Sequence, residues 1–194
     1  MTTEIVFIGG RSGVGKSTVG WEIHRLLATA EVMHALVEGD TLDQAWPEPW
    51  PEHPLAERNL AAIWRNYTEL GYRRMVYTNT AAVFPSAQRT LVEAVEALGA
   101  PVRAVSVLLT ATDRTVAERL SLRESGESLA WHLERSRTAA RELDAGVPSS
   151  VARISTDGRA AVAIAADVVA LTGWLDVAVT RAKQGRNYPG MPAP

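Results

Sequence analysis

Gly10-Arg11-Ser12-Gly13-Val14-Gly15-Lys16-Ser17 lies between the apolar run Ile5-Val6-Phe7-Ile8-Gly9 and a segment in which Val19, Ile23, Leu26, Leu27 and Ala30 recur at helical spacing. An apolar run of strand length, a glycine-rich turn and an amphipathic helix form one strand–loop–helix unit. Inside it the spacing G-x-x-x-x-G-K-[ST] is the phosphate-binding pattern. Glycines let the main chain curl so that successive N–H groups point inward at a polyphosphate. The helix that follows adds the positive end of its dipole at the same spot. Lys16 supplies a mobile cation for the β and γ oxygens, and the Ser17 hydroxyl is a Mg²⁺ ligand. A nucleoside triphosphate is therefore expected on Gly10, Arg11, Ser12, Gly13, Val14, Gly15, Lys16, Ser17 and Thr18, with Lys16 also acting on the group in transfer.

Outward from this unit, strand-length runs keep alternating with helical patterns. His34 to Glu38 gives a second strand, Met75-Val76-Tyr77 belongs to a third, Val102 to Leu109 is a fourth and Val151 to Ser155 a fifth. Between them lie helices marked by Leu60, Ile63, Trp64, Tyr67 and Leu70 before Gly71, and by Leu91, Val92, Val95 and Leu98 before Gly99, each glycine a left-handed cap. Thr112-Asp113 caps a helix carrying Val116 and Leu120. Ser128 to Ala145 forms another, and the last runs from Ala160 to about Val179. The prolines of residues 46–54 exclude a helix there and leave a loop. Such alternation implies an α/β fold, a parallel sheet with helices on both faces, and ligands bound beyond the carboxyl ends of the strands. Residues 1–183 are read as one domain and 184–194 as a loose tail.

Composition narrows the function. Twenty Lys and Arg against 22 Asp and Glu leave a net charge of −2, with no general pull on nucleic acid or anionic membrane. The absence of cysteine excludes disulfides, thiol nucleophiles and cysteine-ligated metals. No run approaches the roughly 20 apolar residues of a membrane span, and Met1-Thr2-Thr3-Glu4 lacks the basic flank of a signal peptide, so a cytoplasmic protein is expected. His24, His34, His53 and His132 show no metal-ligand spacing. His24 is expected on a helix surface and His53 in a loop.

Glu38 and Asp40 flank Gly39 after the second strand and would face the same way in an extended chain, with Gly39 admitting the close approach of another group. A carboxylate here either takes a proton from an attacking hydroxyl or holds a water of the Mg²⁺ shell. Both roles stay open for Asp40, and Glu38 is either a substrate contact or a solvated turn residue. From Glu38 to Glu57 there are six acids and no Lys or Arg, which would repel an acceptor already carrying phosphate. An uncharged or cationic hydroxyl compound is the expected acceptor. Arg58, Arg65, Arg73 and Arg74 are the candidates for gripping a phosphate should it be a nucleoside monophosphate. Trp46 and Trp50 either stack on the acceptor or pin the proline loop. Arg119 and Arg123, four apart on one helix face, are expected to close on the charge of phosphoryl transfer, or in the case of a guanidinium to stack on a base. Thr156-Asp157-Gly158 either lines a purine or merely starts a helix.

These residues resemble the small P-loop kinases, the superfamily of nucleoside monophosphate, shikimate, gluconate and adenylylsulfate kinases, with chloramphenicol phosphotransferase and zeta toxin also similar. The resemblance rests on the phosphate loop, on Glu38-Gly39-Asp40, on Glu118-Arg119-Leu120 with Arg123, and on Thr156-Asp157-Gly158. It implies a five-stranded parallel sheet in the order 2-3-1-4-5, a lid at about 119–146 and an acceptor loop at 41–57. It also implies ATP with Mg²⁺, held through Ser17 and Asp40, with Lys16, Asp40, Arg119 and Arg123 catalytic and Asp157 and Gly158 beside adenine. One departure is that Thr78-Asn79-Thr80 stands where many P-loop proteins carry a strand-three Asp for the metal. Either Asp40 takes over that task, or Ser17 and phosphate oxygens hold the metal, and Thr78 and Asn79 are then candidates for the acceptor. A small-molecule hydroxyl kinase leads, with a nucleoside monophosphate kinase and a regulatory nucleotide-binding module as alternatives.

Overall fold

β1 (Thr3–Gly9) is buried almost throughout, and its side chains divide the core in two. Val6 and Ile8 point to one face of the sheet, with Ile23 and Leu27 of α1 (Lys16–Thr29) and Val168 and Val169 of α6 (Ala161–Thr172). Ile5 and Phe7 point to the other, with Leu60 and Trp64 of α2 (Leu55–Glu69) and Leu91 and Val95 of α3 (Pro85–Glu96). Alternation along a strand covered on both faces produces this three-layer arrangement. The protein was described from a computed structural model, which covers residues 2–48 and 53–175. Trp50 and the 184–194 tail lie outside the described residues.

The remaining strands are β2 (Ala35–Glu38), β3 (Arg74–Thr78), β4 (Val102–Thr110) and β5 (Ala152–Ser155), and the sheet order is β2-β3-β1-β4-β5. Every pairing is parallel, with Val37 opposite Tyr77, Phe7 opposite both Tyr77 and Ser106, and Leu109 opposite Ile154. The α/β fold and strand order therefore agree with the sequence reading. Gly9, Glu38, Thr78, Thr110 and Ser155 end their strands along one edge of the sheet, and the loops leaving that edge form the site. α4 (Asp113–Ser121) and α5 (Gly126–Gly146) follow β4 and cover the same edge. The Thr112 hydroxyl accepts from the Thr115 amide and caps α4 as expected.

Three local expectations are corrected. α6 is interrupted after Thr172, where Gly173 takes a left-handed φ of +68°; Trp174 and Leu175 are again helical, and 176–179 lie outside the described residues. β2 begins at Ala35, one residue after His34. His24 is not simply a surface residue: its Nδ1 lies 2.9 Å from Nε2 of the buried His34. His34 Nδ1 in turn lies 2.6 Å from the Val32 carbonyl. A carbonyl only accepts, so His34 Nδ1 carries the proton, and His24 donates to the His34 Nε2 lone pair.

Candidate functional site

The loop between β1 and α1 turns sharply because Gly10, Gly13 and Gly15 take φ of +143°, +81° and +103°. At Gly10 a Cβ would also sit 2.7 Å from the Leu109 carbonyl oxygen, so no larger residue fits. The loop's carbonyls face outward into partners. Gly10 O accepts from Lys16 Nζ at 2.9 Å, Ser12 O from Ser136 Oγ at 2.9 Å, and Val14 O from Arg119 at 2.9 Å and Thr156 Oγ1 at 3.0 Å. Gly15 O takes the Val19 amide of α1. With the carbonyls satisfied outside, the amides of residues 11–13 and 15–18 have no acceptor among the described residues. They form a concave donor surface at a helix N-terminus, which suits a polyphosphate.

Lys16 is 8% exposed, and its ammonium donates to Gly10 O, Arg11 O and Thr80 Oγ1. Burial pulls its pKa below the usual lysine value. Asp40 pushes it up, Arg123 pulls it down and Glu38 pushes it up again. The charges of Asp40, Glu38 and Arg123 thus all act on Lys16, and the structure brings these sequence-selected groups together. Thr80 escaped the sequence reading. Its only signal is a hydroxyl two residues beyond β3.

Glu38 and Asp40 do not face the same way. The chain leaves β2 into a 3₁₀ turn at Gly39–Thr41, which breaks strand alternation, and the Thr41 hydroxyl closes that turn on Glu38 O at 2.8 Å. Glu38 Oε2 accepts from Ser17 Oγ at 3.2 Å. Asp40 Oδ1 accepts from Asn79 Nδ2 at 2.8 Å. Asn79 is itself fixed, its Oδ1 accepting from the Ala81 amide at 2.8 Å and its amide donating to Ile8 O at 3.2 Å. Thr78 is buried at the end of β3. Ser17 and Glu38 are oxygen donors beside the phosphate cradle. They suit Mg²⁺, which takes one or two protein ligands and completes its shell from phosphate and water.

Arg119 lies on the opposite side of the loop from the acids. Its guanidinium reaches Gly13 O, Val14 O, Thr156 Oγ1 at 3.0 Å and Thr156 O at 3.0 Å. Thr156, 1% exposed, joins this loop to the β5–α6 turn, another link the sequence reading did not find. Asp157 turns to α4, accepting from the Thr112 amide at 3.0 Å and the Thr112 hydroxyl at 2.9 Å. The neighbouring Thr115 hydroxyl and the Thr112 amide hold its carboxyl at about 2. Gly158 has φ +62° and open space around it. The Arg11 side chain leaves the cradle for Asp113 and the Ala111 carbonyl. Trp46 is 92% exposed.

Two of the four arginines considered for an acceptor phosphate are committed elsewhere. Arg73 donates to Thr68 O and Tyr72 O, and Arg74 pairs with Glu4 at the start of the sheet. A cavity of about 360 Å³ lined by Thr3, Trp64, Thr68 and Arg73 opens at that same amino-terminal edge and takes no part in the site.

The AAA domain family model matches residues 5–145. No curated protein sequence matches the chain significantly. Similar solved structures include a tunicamycin resistance protein from Deinococcus radiodurans at TM-score 0.60 and 19% identity, covering 88% of this chain and 96% of that one. A gluconokinase from Sinorhizobium meliloti aligns at TM-score 0.55 and 20% identity over 95% and 98% of the two chains. The Mycobacterium tuberculosis APS kinase, solved with AMPPNP and APS, aligns at TM-score 0.55 and 17% identity over 87% and 96%. The chain belongs to the AAA domain family and shares its fold with these neighbours.

Proposed function

We propose that the protein is an ATP-dependent kinase that transfers the γ-phosphoryl group to a hydroxyl of a small uncharged or cationic molecule. The observation that carries this reading is the division of labour at the loop's mouth, where Glu38 is bonded to Ser17 and Asp40 is held apart from it by Asn79. One carboxylate is thus engaged with Ser17, the residue read as the Mg²⁺ ligand, and the other, positioned by Asn79, is the one assigned to an incoming alcohol.

In this reading the amides of residues 11–13 and 15–18 hold the phosphates, and Lys16 exchanges its Thr80 and carbonyl partners for β and γ oxygens. Ser17, with Glu38 bonded to it, would hold Mg²⁺, which would supply charge neutralisation at the phosphates. Arg119 and Thr156 fix the loop against the β5–α6 turn on the base side, and Arg123 adds positive charge near Lys16. Asp40 accepts the proton of the acceptor hydroxyl as its oxygen bonds to the γ-phosphorus. The bond from that phosphorus to the β–γ bridging oxygen breaks, and ADP leaves. Arg73 and Arg74 are engaged at the amino-terminal edge of the sheet, so a monophosphate acceptor would depend on Arg58 and Arg65, whose side chains have no bonding partner among the described residues.

Asp40→Asn tests the assignment. General-base loss should lower kcat by about 10²- to 10⁴-fold, while the Kd of an ATP analogue, measured by calorimetry, should change by less than about threefold. Wild-type turnover in D40N would remove Asp40 from the chemistry.

A further inference from the structure

We propose that the acceptor carries a cationic nitrogen as well as its reacting hydroxyl, and that Asp43 and Glu57 hold that cation while the Tyr77 hydroxyl bonds one of the acceptor's oxygens. The proposal rests on the kinase reading above and specifies its substrate class.

Tyr77 is the starting point. It is 2% exposed and packs edge-on against Phe7 at 5.6 Å, yet its hydroxyl bonds no other described residue. The hydroxyl passes beneath the backbone of Gly39, where a Cβ would lie 2.3 Å from it, and so emerges beside the turn that carries Asp40. A polar group brought through the core to this place, with no partner among the described residues, is available to a ligand.

The surroundings state what that is. The Asn59 side chain donates to Leu42 O at 2.5 Å and clips the turn bearing Asp43 onto α2, the helix that bears Glu57. Glu57 is steadied from α3 by the Thr90 hydroxyl at 3.3 Å. Burial and then the charges of Asp40, Asp43 and Glu57 raise the Tyr77 pKa well above the usual tyrosine value, so Tyr77 remains a neutral donor. Several acids elsewhere in the chain are paired with arginine. Glu4 meets Arg74 and Arg103, Asp113 meets Arg11, and Asp167 meets Arg159. Among the described residues Asp40, Asp43 and Glu57 form no ion pair. Residues 49–52 are Pro, Trp, Pro and Glu, and bring no cation. A cation on the acceptor supplies the missing countercharge and leaves Lys16 and Arg123 to the phosphates.

The test is a panel of amino sugars and amino alcohols, each paired with its N-acetylated and its carboxylate counterpart, with γ-labelled ATP and product counted directly. The amine forms should be phosphorylated with kcat/KM at least about tenfold above the N-acetyl forms. The advantage should shrink as salt rises and disappear in the Asp43→Asn, Glu57→Gln double variant. In Tyr77→Phe the acceptor KM should rise while the ATP KM stays unchanged. Transfer to N-acetyl or carboxylate forms as fast as to amines would overturn the cation assignment and leave the kinase reading standing. Absence of transfer to every alcohol, with ADP released equally with and without them, would defeat the kinase reading and the proposal with it.

Discussion

Gly39 was read from the sequence as the point where another group approaches the backbone, and Tyr77 is that group. The separation of Glu38 from Asp40 was not readable in the same way. It depends on a 3₁₀ turn that ends strand alternation and on Asn79, whose position is set by pairing across the sheet. The histidines show the same limit. His24 and His34 are ten residues apart in sequence, and only the return of the chain from α1 to β2 sets them 2.9 Å apart. Burial chiefly, with the His24 charge assisting, pulls the His34 pKa below its ordinary 6.5. The unfolded chain then binds more protons than the native one between that lowered value and 6.5. Stability from neutral His34 is complete above 6.5 and is lost as pH falls toward the native pKa. Urea midpoints measured from pH 8 to pH 5 should hold steady and then decline below about 6.5. His34→Gln should flatten that decline, and an equal decline in both proteins would refute the role of His34.

At the scale of elements, the phosphate loop is a short segment braced by three distant ones: α4 through Arg119, α5 through Ser136 and the β5–α6 turn through Thr156. The loop itself was legible because its spacing is local and its glycines are required by backbone geometry. The braces were not, since a lone serine in the middle of a charged helix has no sequence signal. Ser136 is 1% exposed and donates to Ser12 O at 2.9 Å. Ser136→Ala leaves that carbonyl without its partner, which should cost about 1–3 kcal/mol. Urea unfolding would measure that cost, and calorimetry should show weaker ATP binding beside it. Unchanged nucleotide affinity in S136A would mean that α5 does not hold the loop in its binding shape.

For the whole molecule, the parallel order β2-β3-β1-β4-β5 sets β1 between β3 and β4, so the loops and helix starts carrying Ser17, Asp40, Asn79 and Thr156, with Arg119 of α4, converge on one edge. Among the described residues no helix is long and apolar enough to cross a membrane. Strand and helix periodicity made this architecture readable, while the partner of each charged side chain required the folded chain. All of the chemistry rests on the amides of residues 11–13 and 15–18, unpaired among the described residues, taking a triphosphate. Calorimetric titration of the full chain with AMPPNP and Mg²⁺ addresses that point directly. The account predicts saturable one-to-one binding that weakens at least about tenfold in Lys16→Ala. No heat in the wild type, or equal affinity in K16A, would contradict it.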